Sequence, residues 1–138
     1  MLLATADRFH ISIDKMPAAK WDTLSGQEAS REVPKVRVEA GGAKQNMPTR
    51  IEIADTTVTK VWDSDTDGEL YRGLMKGSLY DGATITVQEL DADGNTLPGK
   101  VVQYTGCVVK GVSRDDADAN GQDPLKMTVV WSVGAVAP

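Results

Sequence analysis

The sequence has little of the chemistry on which most enzymes and metal proteins depend. Its 138 residues include one cysteine, Cys107, and one histidine, His10. A single cysteine excludes an intrachain disulfide and a cysteine-based zinc site. A serine–histidine–aspartate arrangement would have to be built on His10, which alternates with apolar residues on a predicted strand and is interpreted as a surface or interface residue. Cys107 stands in a strand-like stretch, where a buried cysteine is usually a packing residue.

Aromatic residues and phosphate-binding motifs are also scarce. One Phe, three Tyr and three Trp are too few for an obvious platform on which sugars or bases could stack. The tryptophans Trp21, Trp62 and Trp131 fall on predicted strands or near their ends, and are interpreted as core or subunit-contact anchors. The chain contains neither a P-loop nor the glycine pattern of dinucleotide-binding folds. We therefore expect no catalytic residue and no bound cofactor.

The charge balance and the hydrophobic pattern exclude two further classes of protein. Fifteen basic and 20 acidic residues give a formal net charge of −5, whereas nucleic-acid binding and basic membrane-surface binding both need a basic stripe. No window approaches the roughly 20 apolar residues of a membrane span. The first ten residues, "MLLATADRFH", lack the basic and apolar regions of a signal peptide, which predicts synthesis in the cytosol.

Two acidic stretches carry the spacing that opens a calcium-binding loop. Residues 63–68 read D-x-D-x-D-G, and residues 116–121 read D-x-D-x-N-G. An EF-hand loop needs a bidentate glutamate at its twelfth position. Leu74 and Met127 stand at those positions, so neither stretch can complete the coordination shell, and no metal site is predicted.

The same acidic residues suit turns and helix ends. Asp63, Ser64 or Asp65 is predicted to cap the helix that follows, because acidic residues near a helix start interact favourably with its dipole. The second stretch reads as a polar connection between two strands, where Asp, Asn and Gly are the expected turn residues.

Strand-like alternation of apolar and polar residues dominates the rest of the chain. In residues 8–14, Phe9, Ile11 and Ile13 share one face, and the following stretch "AAKWDTLSG" is predicted to form a hairpin with this strand. Further strands are predicted in "KVRVEAGG", "PTRIEIADTTVTKVW", "ATITVQEL", "KVVQYTGCVVKGV" and "LKMTVVWSVG". Several of these have one apolar face and one face of mainly Thr, Gln and charged residues, which suits a sheet that is packed on one side and wet on the other.

One stretch has a helical pattern. In "SDTDGELYRGLMKGS", Leu70, Leu74 and Met75 fall at helical spacing, with acidic residues before them and Gly77 after. The predicted fold is therefore mainly β: a single domain over residues 1–138, a sandwich or barrel of about six to eight strands, with one short helix and a long charged loop.

Read in order, these features resemble the tail-tube proteins of bacteriophages, whose fold is shared with the tubes of contractile injection machines. The resemblance lies in order and spacing, in "FHISID", "AAKWDTLSG", the charged excursion that follows, "MPTRIEIADTTVTKVWDSDTDGELYRGLMKG", "TITVQELDADGNTLPGKVVQYTGCVVKGVS" and "KMTVVWSVG". Two features depart from the family's commoner pattern: the short N-terminus and the second acidic loop, Asp115 to Asp123.

The resemblance implies a structural, non-enzymatic role. Such subunits form hexameric rings that stack into a tube, each contributing strands to a continuous barrel around a channel through which DNA passes without specific binding. Implied partners are further copies of the chain, the tape measure, the terminator, the baseplate or tip, and a sheath where one exists, with no membrane. The implied location is the virion tail, assembled from protein made in the host cytoplasm.

By position, residues 27–48 correspond to the family's loop that reaches the neighbouring ring. The basic residues in and around this segment are the candidate contacts to that ring: Arg31, Lys35, Arg37, Lys44 and Arg50. Contacts between these residues and an acidic neighbour would weaken with salt; a solvated loop is the alternative.

Two other functions stay open on the sequence. A tube or carrier ring of a contractile injection system would share the fold. A monomeric β-sandwich that binds a ligand or carbohydrate would differ in staying monomeric and in having a concave apolar or aromatic pocket.

Overall fold

A computed structural model describes residues 8–17, 19–37, 41–48, 50–76, 78–115 and 124–138. Most strands belong to one seven-stranded sheet: β1 (Phe9–Ile13), β2 (Thr23–Ser25), β7 (Thr56–Val61), β8 (Ala83–Leu90), β9 (Thr96–Arg114), β10 (Lys126–Ser132) and β11 (Ala135–Val136). Four short strands form two separate pairs: β3 (Ala29–Ser30) with β6 (Glu52–Ile53), and β4 (Lys35–Arg37) with β5 (Lys44–Asn46). The helix α1 (Asp67–Met75) is followed by a short 3-10 turn, Ser78–Tyr80.

The long strand β9 joins the two halves of the main sheet, whose order is β1-β8-β9-β10-β7-β2, with β11 beside β9. Its first part pairs with β8, as far as the pair Ala83↔Cys107, and its last part pairs with β10. Near the end of the part that pairs with β8 stands Gly106, whose φ of 63° is in the region that favours glycine. The chain can therefore pass from one half of the curled sheet to the other without a break.

The curled sheet brings its two outermost strands together at one point. An isolated bridge joins Ile11 of β1 to Trp21, immediately before β2. Apart from this bridge, β1 pairs with β8 and β2 pairs with β7. The predicted hairpin between the first two segments is therefore wrong. Alternation specifies which face of a strand is buried, but it does not specify the partner strand.

The core lies inside the curl and is built from alternate residues of the strands. Ile11, Ile13, Val58, Ile85 and Trp131 are each at most 7% exposed. The helix covers this core through Leu74, which is buried, while Leu70 is half-buried. Met75, predicted on the same apolar face, is 59% exposed, because it lies one residue beyond the narrow stripe that contacts the sheet. The predicted mainly-β architecture with one short helix is confirmed.

Candidate assembly surfaces

A row of hydroxyl side chains crosses one half of the sheet on its outer face. Thr23 of β2 pairs with Thr59 of β7, Thr59 with Thr128 of β10, and Thr128 with Ser113 of β9. Residues that are directly opposite in a sheet point to the same face. The sequence neighbour of Thr59 on β7, Val58, is fully buried in the core, so the hydroxyl row lies on the other side of the sheet.

A second row lies beside the first and is also uncharged. Ser25 pairs with Thr57, Thr57 with Val130, and Val130 with Gly111. The two rows together, called the hydroxyl face below, have six hydroxyl groups and no charge over eight positions. Such a surface holds water through hydrogen bonds but has no fixed charge with which to bind an ionic polymer.

Charged side chains lie at both ends of the hydroxyl face. At one end, Lys126 pairs with Val61 across β10 and β7. At the other end, the exposed Lys110 Nζ lies 2.5 Å from Asp55 Oδ2. Lys110 is the extra residue of a β-bulge, since Val130 pairs with Gly111 while Trp131 pairs with Val109.

The strands that border the hydroxyl face each have an edge with no strand partner among the described residues. β2 pairs only with β7, and residues 108–114 of β9 pair only with β10 because β8 ends at the Ala83↔Cys107 pair. A cleft of about 330 Å³ lies beside β2, lined partly by the apolar side chains of Phe9, Ile11, Leu24 and Val87. Both edges can therefore accept a further strand.

Residues 27–48, called the arm below, are almost entirely exposed where they are described. The arm begins at Gln27, whose Oε1 accepts a 3.0 Å hydrogen bond from the Tyr104 hydroxyl on β9. Its centre is the two-stranded pair of β4 and β5, in which Arg37 lies directly opposite Lys44. Like charges in that arrangement repel each other and destabilise an isolated hairpin.

All five basic candidates predicted from the sequence are exposed: Arg31, Lys35, Arg37, Lys44 and Arg50. The structure separates them into two groups. Lys35, Arg37 and Lys44 lie on the β4–β5 pair. Arg31 and Arg50 line an open cleft of about 510 Å³ at the root of the arm, together with Glu32 and Glu52.

The opposite end of β7 is acidic. The chain continues from the arm through β6 to β7, which begins at Thr56 and ends at Val61. Asp63 and Asp65, which follow β7, are exposed. Asp115 is also exposed at this end, where its backbone N–H donates to the Lys126 carbonyl. The same strand therefore connects a basic arm at one end to acidic loops at the other.

The first calcium-like stretch is explained by a buried ion pair. Asp67 is 1% exposed and accepts a 2.6 Å hydrogen bond at Oδ1 from Lys60 Nζ, which belongs to the buried face of β7. Its other carboxylate oxygen accepts a 2.7 Å bond from the Asp63 backbone N–H. The third aspartate of the motif is thus a core residue that binds the start of α1 to the sheet.

The predicted capping of α1 by Asp63, Ser64 or Asp65 is wrong. The residue at the N-cap is Thr66, and its side chain makes no capping hydrogen bond. Asp63 Oδ1 instead accepts from the Asp65 N–H at 3.0 Å, which stabilises the turn before the helix. The second calcium-like stretch, residues 116–121, lies outside the described residues.

His10 and Cys107 occupy the environments predicted for them. His10 is exposed on β1, and Cys107 is fully buried, with its Sγ–H donating to the Tyr104 carbonyl at 3.3 Å. Burial raises the pKa of the Cys107 thiol above its ordinary value, and raises the pKa of Tyr104 in the same way. A buried thiol that retains its proton is a poor nucleophile.

Two tryptophans are core residues, and the third belongs to a surface cluster that the sequence did not indicate. Trp21 and Trp131 are at most 6% exposed. The Arg114 guanidinium lies 4.7 Å from the Trp62 ring centre and 5.4 Å from that of Tyr71. Arg114 is distant from Trp62 and Tyr71 in the sequence, so only the assembled sheet, in which β10 lies between β7 and β9, could reveal the contact.

Over the described ranges, no group of three or more His, Cys, Asp or Glu residues is arranged to hold a metal ion. Among the helices in the described part of the chain, none has the length and apolar character needed to cross a membrane.

Solved structures with a similar fold cover nearly the whole chain. A chain of the sheath–tube complex of the PVC extracellular contractile injection system, in its extended state, is 18% identical with a TM-score of 0.79, over 98% of this chain and 90% of that one. Hcp1 from Flavobacterium johnsoniae is 17% identical with a TM-score of 0.58, over 94% and 92% of the two chains. A chain of the native gene transfer agent virion is 16% identical with a TM-score of 0.61, over 98% of both chains.

These likenesses define the class of fold. No protein-family model and no curated protein sequence matches the chain. The structural neighbours nevertheless include injection-system tube complexes, Hcp proteins and gene transfer agent tails. The chain therefore has the tail-tube fold, which confirms the resemblance inferred from the order of its strands.

Proposed function

We propose that this protein is a structural subunit of a phage tail tube. In this proposal the whole chain, residues 1–138, acts as one tube domain, and copies of it form hexameric rings that stack around a channel for DNA passage during ejection. The observation that carries the proposal is the tail-tube fold, which matches a gene transfer agent chain over 98% of both chains. Fold alone does not define function, so the surfaces that assembly would need are the further support.

The hydroxyl face is suited to line the channel. DNA is retained by surfaces that neutralise its phosphates, and such retention grows with the number of Lys and Arg contacts. The hydroxyl face offers six hydroxyl groups and no charge. A polymer of phosphates can slide past such a surface without a strong electrostatic minimum at any position.

The arm is suited to contact the next ring. Arg31, Lys35, Arg37, Lys44 and Arg50 are exposed, and a two-stranded hairpin of this kind is marginally stable without a surface to pack on. An anionic neighbour would relieve the repulsion between the paired residues Arg37 and Lys44. Asp63 and Asp65, at the other end of β7 in each copy, offer such a charge when copies stack head to tail.

The proposed partners follow from the tube role. Besides further copies of the chain, they are the tape measure, the terminator, the baseplate or tip and, in contractile systems, the sheath. Structural neighbours come from sheath–tube, terminator and baseplate complexes. We also propose that the chain has no catalytic activity and that it is located in the virion tail after synthesis in the host cytoplasm.

A second candidate is the tube of a contractile injection system. The observation that favours it is the closer fold, with a TM-score of 0.79 to the injection-system chain against 0.61 to the gene transfer agent chain. Both candidates are self-assembling tubes and differ in what passes through the channel. A monomeric binding module is favoured by no comparable observation, since the apolar cleft beside β2 has one aromatic side chain, Phe9.

Negative-stain electron microscopy of the purified protein, over a series of concentrations and salt, tests the proposal. A tube subunit is expected to form rings or hollow tubes, with shorter stacks as ionic strength rises from about 0.05 to 1 M. A protein that stays monomeric in sedimentation at every condition, even with a tail initiator complex added, would contradict the proposal and favour the binding module.

A further inference from the structure

The end of α1 and the 3-10 turn that follows it carry two exposed apolar side chains. Met75 and Leu79 are 59% and 67% exposed. A Cβ on Gly73 would lie 3.5 Å from Leu79 Cδ2. The turn therefore folds back onto the last turn of the helix, which carries Met75. Met75 and Leu79, called the apolar ridge below, form a surface of the kind that soluble proteins use for contact with another molecule.

The apolar cleft beside β2 is the counterpart of the ridge. Phe9 and Ile11 of β1, Leu24 of β2 and Val87 of β8 line it. Its volume of about 330 Å³ is at the lower end of the range for ligand pockets, which is about 300–1,000 Å³. A space of this size and composition suits one or two apolar side chains of a protein partner.

The ridge and the cleft lie on opposite sides of the curled sheet. The path of the sheet begins at β1 and ends at β2, with β9 between its two halves, so the opening between β1 and β2 is opposite β9. The helix and the turn lie beside β9, where Tyr71 contacts Arg114. Gly82, just after the turn, donates its N–H to the Cys107 carbonyl at 2.9 Å. The ridge and the cleft can therefore meet only when they belong to two different copies.

The charges beside the two surfaces are complementary. Lys76, the residue after Met75, is exposed. Asp22 is exposed at the wall of the cleft, where its Oδ2 accepts a 2.8 Å hydrogen bond from the Val61 N–H. Opposite charges around an apolar contact favour one partner and one orientation over others.

We propose that the apolar ridge of one copy inserts into the apolar cleft beside β2 of a second copy, with Lys76 close to Asp22. This inference rests on the proposed function and identifies a side-chain contact between neighbours in a ring, away from the hydroxyl face. The contact uses two different surfaces, so it is heterologous, and repetition around an axis closes it into a ring. It gives Met75 and Leu79 the apolar surroundings that the single chain does not provide.

Leu79→Asp in the full-length chain tests the contact. The equilibrium constant for ring formation should fall by at least about tenfold, because the burial of a leucine is lost and a carboxylate would face an apolar wall. Sedimentation velocity over a concentration series measures the fraction of rings. The free energy of unfolding of the monomer should not change, since Leu79 is largely exposed. Ile51→Asp is the matched control, at a position that is 55% exposed, and should form rings as the wild type does.

A charge substitution and its rescue test the orientation. Lys76→Glu places a like charge beside Asp22 and should reduce ring formation at low salt, with a smaller reduction at about 0.5 M salt. Asp22→Asn in the same chain removes the repulsion, retains a side-chain oxygen for the Val61 N–H, and should restore the rings. Rings that are lost with Lys76→Glu and not restored by Asp22→Asn would contradict the proposed placement of the two charges.

Photo-cross-linking identifies the surface that the ridge contacts. A benzophenone amino acid replaces Leu79, the assembled rings are irradiated, and mass spectrometry locates the adduct. The inference predicts adducts between copies, on peptides that contain Phe9, Leu24 or Val87. The same probe in place of Ile51 is the control and should not label these peptides.

The outcomes separate the inference from the proposed function. If Leu79→Asp forms rings as readily as the wild type, or if the adducts lie on another face of the neighbouring copy, the ridge contact is overturned and the tube role stays intact. A wild-type chain that forms no ring under any condition would overturn both.

Discussion

Lys60 and Asp67 show how a motif that resembles a metal site can serve the core instead. Their side chains are 5% and 1% exposed and lie 2.6 Å apart. The D-x-D-x-D-G spacing correctly indicated a turn before a helix, and the missing glutamate argued against calcium. The spacing could not indicate the partner of Asp67. Alternation places Lys60 on the buried face of its strand, but it does not show which side chain Lys60 contacts there.

Removal of one member of this pair is expected to destabilise the protein strongly. Lys60→Met leaves Asp67 as a buried charge whose remaining polar contacts are the Asp63 N–H and the Thr66 hydroxyl. Loss of one partner in a buried ion pair typically lowers the free energy of unfolding by about 3–5 kcal/mol. Urea unfolding of the monomeric protein measures the change.

The exposed pair Lys110–Asp55 provides the control. Its lysine side chain is 63% exposed, so solvent screens the interaction and Lys110→Met should change the free energy of unfolding by less than about 1 kcal/mol. Equal effects of the two substitutions would show that the Lys60–Asp67 pair is not held in a dry core.

Two buried acids predict a loss of stability in alkali. Burial raises the pKa of Cys107 from its ordinary 9.0 and of Tyr104 from its ordinary 10.0. Both groups are neutral when protonated, so the folded state retains the proton more tightly than the unfolded chain. Their contribution to stability is complete below the unfolded pKa values and is lost as the pH rises above about 9.

Unfolding in urea between about pH 8 and pH 10.5 tests this sign. The free energy of unfolding of the wild type should fall over that interval. The combined variant Cys107→Ala with Tyr104→Phe should fall less steeply, whatever its stability at neutral pH. An equal slope for the two proteins would show that other groups control the alkaline transition.

At the level of elements, the outer part of the arm, β4 with β5, is not part of the main sheet. The β4 and β5 strands pair with each other, and the described residues around them are nearly all exposed. The arm's charge was predictable from the sequence, as was its form as a long loop or protruding hairpin. Its internal pairing of Arg37 with Lys44 was not, because a like-charged pair is a poor choice for an isolated hairpin.

Charge reversal on the arm is expected to block stacking while leaving the subunit folded. In the double variant Lys35→Glu with Arg37→Glu, the exposed acidic end of the adjacent copy would meet two negative charges. Tube length in electron micrographs should fall sharply, with rings and the far-ultraviolet circular dichroism spectrum retained. Lys100→Glu, an exposed position on β9 outside the arm, is the control and should form tubes of normal length.

For the strands, the buried face could be predicted from the sequence, but the partner strand could not. The stretch from Ala83 to Leu90 alternates as far as Gln88, and its predicted strand matches β8. The pairing of β1 and β2 was predicted wrongly, because both strands alternate and are neighbours in the sequence. The two segments meet only at the bridge Ile11↔Trp21 among the described residues, and β1 pairs with β8 while β2 pairs with β7. Long-range pairing of this kind depends on the whole sheet.

At the scale of the whole molecule, one curled sheet presents three kinds of surface. The hydroxyl face, the two free edges and the charged ends each suit a different contact in a stacked ring. The sequence predicted the fold class through periodicity and order, whereas the contact of the basic arm with a neighbouring ring stays a prediction from the family resemblance. A wet, Thr-rich face on several strands was predictable from alternation, but the rows of the hydroxyl face were not, because they combine residues from four strands whose registers appear only in the assembled sheet.

The most direct test of this account is a cryo-electron microscopy reconstruction of the assembled protein at a resolution that shows side chains. The account predicts a hollow tube of stacked rings in which Thr57, Thr59 and Thr128 face the channel and the arm of each copy touches the next ring. A tube in which this face is buried between subunits, with the exposed helix side around Met75 lining the channel, would contradict it.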